Sequence, residues 1–197
     1  MKMLDKVLAP AFLLALCLQG AVSIKAESLD SRLYYQIHDR WQHPSLDRPM
    51  ELASRMGDAK MGIALCAGVG LFGGERARQT AKLALAADAL SAGLAWSLKM
   101  AVNRQRPDGP TTRSNSSFPS GHATGAFALA TAFSHSYPKI TIPAYLGAAA
   151  IGLSRVYLGR HYPADVLAGA LIGYATARFV IRYREKVLAL KFPGIEE

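Results

Sequence analysis

Cysteine is nearly absent from this 197-residue chain, with Cys17 and Cys66 the two present. They lie far apart, each inside an apolar run, so they give neither a disulfide framework nor a metal-ligand spacing, and both read as small core hydrophobes. Charge is sparse, at 19% of residues against about 25% in soluble domains. Acid is scarcer than base, with 14 Asp and Glu against 23 Lys and Arg. The composition, 51% hydrophobic, excludes a disordered chain, and the net charge of +9 suits anionic headgroups rather than nucleic acid. No stretch of useful length alternates with the strand period, and no internal repeat or low-complexity tract is present, which removes sheets and solenoids. A mean hydropathy of +0.13 does not by itself separate a membrane protein from a soluble bundle.

What is present is a series of apolar segments. Lys2 and Lys6 precede a charge-free run from Val7 to Ile24, roughly 18 residues, which is just long enough to cross a bilayer. Its leucine-rich part, Ala11 to Leu18, followed by Ala21-Val22-Ser23, also fits a signal peptide. Residues 1–26 are therefore read as a first transmembrane helix or a signal peptide, and residues 27–197 as one helical-bundle domain. Cys17 is not read as a lipidation site, because bulky Leu16 stands where a small residue is needed. Five more apolar segments follow: Met61 to Gly74, Leu83 to Val102, Ala123 to Phe133, Ile140 to Leu153 and Val166 to Ile181. Several are shorter than a span and would have to borrow polar flanks. The glycine pairs Gly70/Gly74, Gly121/Gly125 and Gly169/Gly173 are each four apart and would allow close helix contact. The fold class expected is all-α: an integral-membrane helical bundle with five or six transmembrane helices.

Leu29, Leu33, Ile37 and Trp41 recur every four residues among Asp30, Arg32, Asp39 and Arg40. They predict a short amphipathic helix, lying at the membrane interface or packed as an ordinary surface helix. His38 and His43 read as surface polar residues. Asp88, midway along an apolar segment, is expected to face the bundle interior without a catalytic role.

Three polar clusters bound these segments. Lys99 with Arg106-Pro107 closes one, Pro119-Ser120-Gly121-His122 opens the next, and Ser154-Arg155 closes the one after, followed by His161 and Asp165. In an antiparallel bundle all three fall on the same side. Singly, Lys99 and Arg155 are ordinary helix ends and Asp165 an ordinary first-turn acid; jointly they make a phosphate site. Two guanidiniums and an ammonium supply charge, and Ser120-Gly121 at a helix start, with Ser120 as the N-cap, supplies N–H groups for an anion. Such a cradle needs no metal or cofactor. Asp165, four residues after His161, can accept from one ring nitrogen and leave the other free to attack phosphorus, while His122 protonates the leaving oxygen.

Lys99-x6-Arg106-Pro107, Pro119-Ser120-Gly121-His122 and Ser154-Arg155-x5-His161-x3-Asp165 resemble the three-part signature of the type 2 phosphatidic acid phosphatase superfamily, with no departure in the motif residues. The text around Asp47 to Asp58 and Tyr157 to Pro163 is most similar to its integral-membrane lipid phosphatase branch. The resemblance implies a metal-independent phosphatase in which His161 forms a phosphohistidine, Asp165 orients it and His122 is the general acid. It implies that Lys99, Arg106, Ser120, Gly121 and Arg155 bind the phosphoryl group, and that the site faces the periplasm from a bacterial inner membrane. Expected substrates are polyprenyl diphosphate or phosphatidic acid-type lipids. The alternatives are lipid A or phosphatidylglycerophosphate, and a soluble periplasmic non-specific acid phosphatase. Lys and Arg divide almost evenly between the two sides, so charge does not fix orientation.

Overall fold

A computed structural model describes residues 29–110 and 112–190. The expectations for residues 1–26, Cys17 among them, lie outside the described residues. Among the described residues every regular element is a helix, and one isolated β-bridge joins Arg106 and Gly109. A helical stretch over 29–35 runs into a π-helical turn, Gln36–Arg40. There follow α1 (Pro44–Met56), α2 (Ala59–Phe72), α3 (Glu75–Val102), α4 (Gly121–Ser136), α5 (Thr141–Tyr157), α6 (Pro163–Arg182) and the short α7 (Arg184–Leu188).

Each apolar segment of the sequence lies within or largely overlaps one of α2 to α6. The helices extend beyond the apolar runs because polar flanks carry helical hydrogen bonds as well as apolar residues do. Gln79 donates to Glu75 one turn earlier (2.7 Å), for example, ahead of the apolar part of α3. Helix α1 was not foreseen. Its Pro44 sits at the first helical position, and the His43 ring accepts from the Ser45 N–H, so His43 is an N-cap rather than a bystander.

Small side chains fill the interior and large ones face outward. Ala84, Ala87, Ala123, Ala128 and Ala177 are buried, whereas Leu71, Phe72, Trp96, Ile142, Leu146 and Leu167 are exposed. In water this distribution would waste the hydrophobic effect; in lipid it is favourable, because helix association there rests on close contact between small residues. Gly169 and Gly173 carry that contact between α4 and α6. A β-carbon at Gly169 would stand 2.5 Å from the Ser120 carbonyl oxygen, and one at Gly173 would overlap the Thr124 carbonyl. The other two glycine pairs do not act as pairs: Gly74 and Gly121 face open space. Cys66 is buried against Ala81, Ala84, Ala132 and Phe133, in keeping with a core hydrophobe.

Among the described residues two helices, α3 (28 residues) and α6 (20 residues), are long and apolar enough to cross a membrane. α2 is apolar but shorter, and α4 and α5 have 16 and 17 residues. The expected five or six spans are thus not all visible as full-length hydrophobic helices.

The amphipathic stretch over 29–40 packs with the face opposite to that of an ordinary surface helix. Leu29, Leu33 and Trp41 point away from the protein, while Asp30 and Tyr34 are buried against it. A surface helix packed by its apolar stripe is therefore excluded, and the apolar stripe is left free for an interface. His38 is also more than surface. Its Nδ1 donates to the Tyr157 carbonyl (2.8 Å), and its ring stacks on Tyr34 at 5.1 Å.

Candidate active site

The ends of four helices converge as the sequence predicts: the C-terminus of α3 brings Lys99, the N-terminus of α4 brings Ser120 to His122, the end of α5 brings Arg155, and the start of α6 brings Asp165. His161 sits in the α5–α6 turn. Gly159 in that turn has φ +71°, a left-handed conformation that glycine adopts without strain, and a side chain there would also press on His38. The turn folds back so that the N–H groups of Arg160 and His161 both donate to the Arg155 carbonyl (2.9 and 3.1 Å), setting His161 beside Arg155.

His161 is 1% exposed. Its Nδ1 lies 2.8 Å from the Ser117 carbonyl oxygen, which can only accept, so Nδ1 carries the proton and Nε2 keeps its lone pair. This corrects the expected direct bond to Asp165: the Nδ1 to Oδ2 distance is 3.9 Å. Asp165 is held elsewhere because it is the third residue of α6. Its Oδ2 accepts from the Tyr162 N–H at the helix cap (2.9 Å) and from the Ser117 hydroxyl (2.5 Å), and its Oδ1 accepts from Arg104 (2.7 Å). Asp165 thus reaches His161 through Ser117, whose hydroxyl it binds and whose carbonyl binds the ring. Burial is the largest influence on the imidazole and lowers its pKa. Arg106 and Lys99 add to this and Asp165 opposes it, so the ring is neutral at physiological pH.

His122 sits at the mouth, ahead of the apolar part of α4. Its Nε2 is 2.9 Å from Oδ1 of Asp58, in the α1–α2 turn. Burial and then the Arg155 charge bring its pKa down to about 4, against the pull of Asp58 in the other direction. A β-carbon at Gly57 would press on the His122 ring at 3.1 Å, so the α1–α2 turn lies directly against it.

The basic residues are partly committed. Lys99 donates to the carbonyls of Ser116 (2.6 Å) and Pro119 (2.7 Å), which leaves one of its three N–H bonds. Arg106 spends Nε on the Asn115 carbonyl (2.9 Å), and Arg155 donates through one terminal nitrogen to the Ser54 hydroxyl. Ser120 occupies the N-cap of α4, but its side chain makes no capping bond. Its own N–H donates to the Asp165 carbonyl (2.9 Å), tying α4 to α6. The N–H groups of Gly121 and His122 follow in the first turn, where helical geometry supplies no acceptor. Among the described residues, three buried side-chain polar atoms have no hydrogen-bond partner, and two of them are Ser120 Oγ and Arg155 Nε.

Every catalytic or phosphate-binding residue expected from the sequence therefore lies at this one end of the bundle. Ser54, Asp58, Arg104, Ser117 and Asp30 were not foreseen; Arg104 stands two residues before Arg106 in the same motif, yet spacing alone gave it no role.

A buried histidine, a second one at the mouth, clustered cations and a helix N-terminus define a phosphoryl-transfer class, and the comparisons agree. Residues 80–188 match the family model of the PAP2 superfamily, and the chain belongs to that superfamily. It is 33% identical over 154 residues to decaprenylphosphoryl-5-phosphoribose phosphatase of Mycobacterium tuberculosis, a match covering 71% of this chain and 84% of that protein. It is 42% identical over 89 residues to lipid A 1-phosphatase of Porphyromonas gingivalis, a match that takes in 43% of this chain and 19% of that longer protein. The fold is similar to the crystal structure of a transmembrane PAP2 type phosphatidylglycerolphosphate phosphatase from Bacillus subtilis, with TM-score 0.73 and 25% identity over 93% of this chain and 98% of that one.

Proposed function

We propose that this protein is a membrane phosphatase of lipid phosphates that works through a phosphohistidine, with a polyprenyl diphosphate as its substrate. The observation that carries the reading is the pair of orphaned buried atoms, Ser120 Oγ and Arg155 Nε, among residues already rich in positive charge. A buried donor without a partner costs about 1–3 kcal/mol, which a phosphate oxygen would relieve.

In this reading Lys99, Arg106, Ser120, Gly121 and Arg155 hold the phosphoryl oxygens. Nε2 of His161 attacks phosphorus as the bond to the lipid oxygen breaks, and His122 delivers a proton to that oxygen. Neutral His122 then takes a proton from water, the hydroxyl attacks the phosphohistidine, and inorganic phosphate leaves with His161 restored. Phosphate binding places negative charge beside His122 and Arg155, which raises the acid's pKa. No step calls for a metal.

The outward-facing leucines support a bilayer setting, and the relative that acts on a decaprenyl-linked phosphate supports a polyprenyl lipid. We place the site on the periplasmic face of the inner membrane. The test is phosphate release by detergent-purified protein in EDTA. The panel is undecaprenyl diphosphate, phosphatidic acid, phosphatidylglycerophosphate, lipid A and a small soluble ester, with His161→Ala alongside. Fastest EDTA-resistant release from the polyprenyl lipid, lost in the variant, is the expected result. A preference for another lipid overturns the substrate assignment, and release that survives His161→Ala overturns the mechanism.

A further inference from the structure

Arg104 carries none of the phosphate-binding roles above, yet it is the most fully paired cation near the site. One terminal nitrogen donates to Asp165 (2.7 Å) and the other to Asp30 (2.7 Å), and its guanidinium lies 4.3 Å over the Tyr162 ring. Asp165 is fully buried and Asp30 nearly so. The other oxygen of Asp30 accepts from the Ala164 N–H (2.8 Å), in the first turn of α6, one residue before Asp165. Arg104 also accepts the Ser117 N–H on its carbonyl (2.8 Å) and gives its own N–H to the Ser116 hydroxyl (2.8 Å). Both supports of the His161 ring, Asp165 and the Ser117 backbone, are therefore fastened to the same residue.

We propose that Arg104 is the positioning residue of this site. Locked in place by Asp30, it fixes Asp165 and Ser117, and so holds the His161 ring in the Nδ1–H tautomer with Nε2 free. Three consequences follow from the geometry. First, an isolated Asp165 carboxylate, wholly desolvated, would be costly, and the Arg104 guanidinium compensates it. Second, Arg104 acts on His161 at one remove, so its loss should lower kcat rather than raise KM. Third, Asp30 belongs to the 29–40 stretch whose apolar stripe faces away from the protein. That stretch is thus a strut, seated outward on lipid and fastened inward to the nucleophile's support.

This inference rests on the proposed function, and the experiment separates the two. The full chain is purified in detergent with the single changes Arg104→Gln, Arg104→Lys, Asp30→Asn and Asp165→Asn, together with the double variant Arg104→Gln/Asp165→Asn. Phosphate release is measured on the panel lipid that the wild type hydrolyses fastest. Arg104→Gln should lower kcat about 10–100-fold with KM nearly unchanged, as removal of a residue supporting a first ligand or nucleophile does elsewhere. Arg104→Lys, able to keep one of the two ion pairs, should recover part of the loss. In the Asp165→Asn background Arg104→Gln should cost little more, because both changes break one unit. A raised KM with intact kcat, or losses that multiply, would overturn the proposal. If Arg104 variants do not fold, Asp30→Asn decides: it should lower kcat several-fold at constant KM, and an unchanged kcat sinks the idea. A readout independent of turnover is the 15N shift of the His161 ring, which should report a single Nδ1–H tautomer in the wild type and a mixture in Arg104→Gln. A wild type without turnover overturns the proposed function and leaves this spectrum as the judge of the positioning role; an unaltered spectrum in the variant overturns the latter.

Discussion

The two histidines stand in opposite kinds of surroundings. His161 is enclosed, and its ring is held by the carbonyl of Ser117, whose N–H donates to the Arg104 carbonyl, with the Asp165 carboxylate bound by three groups close behind. His122 is a quarter exposed, and Asp58, which binds its ring, is more than half exposed. The contrast follows from what each must do. A nucleophile needs one tautomer and one orientation, which only an over-determined cage supplies. An acid that becomes a base within the same cycle must meet both a leaving group and a water, and a solvent-facing partner lets it change protonation state without stranding a buried charge.

Removing the nucleophile should give the largest effect. His161→Ala is expected to lower kcat by about 10⁴-fold or more and to abolish phosphoenzyme trapped by acid-free quenching with radiolabelled substrate. A trapped phosphoenzyme in that variant would place the intermediate on another residue. His122→Ala should cost less, about 10²–10⁴-fold, on a lipid substrate. It should cost far less in the first step with nitrophenyl phosphate, whose leaving group needs no proton. There the variant should accumulate phosphoenzyme, because the missing base still slows hydrolysis. Equal losses on both substrates would dissolve the distinction between the two histidines.

A finer test uses pH. Burial and Arg155 disfavour the charged form of His122 and hold its pKa at about 4, while Asp58 favours that form. Asp58→Asn removes the favourable partner, so the pKa of the acid must fall further. Since the acid works when protonated, the alkaline limb of the kcat–pH profile should move to lower pH, by about one unit. The acidic limb, which belongs to the enclosed His161, should stay in place. A displaced acidic limb would mean that the two titrations are coupled and that the profile belongs to the pair.

How much of this was legible in the sequence depends on range. Lys99, Arg106, Ser120, His122, Arg155, His161 and Asp165 each sit at the end of an apolar run, and alternating helix direction is enough to bring such ends together. Their partners were not legible. Asp30 and Arg104, Asp58 and His122, and Ser54 and Arg155 meet only in three dimensions, from elements far apart in the chain. Nothing in local spacing distinguishes Arg104 from Arg106, although one is bound to two carboxylates and the other to a backbone carbonyl. The Asp165–His161 pair shows the opposite failure: i,i+4 spacing brings the side chains near, but the cap geometry of α6 turns the carboxylate toward Tyr162 and Ser117 instead.

Asp88 supplies the smallest effect and the sharpest control. It is the acid placed midway along α3, roughly 16 Å from Lys99 at the helical rise, and so it belongs to neither histidine's surroundings. As expected from the sequence it faces inward: a β-carbon built on Gly125 of α4 would stand 2.9 Å from its Oδ1. An acid in this position matters to packing, since it occupies the space that Gly125 leaves, and not to chemistry at the far end of the helix. Asp88→Asn keeps the shape and a hydrogen-bonding head, so turnover and both limbs of the pH profile should be those of the wild type. Gly125→Leu, which fills the same space, should lower the melting temperature in detergent while the kcat of the folded fraction is retained. A loss of turnover in Asp88→Asn at normal expression and melting temperature would carry the functional site down into the body of the bundle, and the division between an enclosed nucleophile and an open acid would no longer account for the whole of the chemistry.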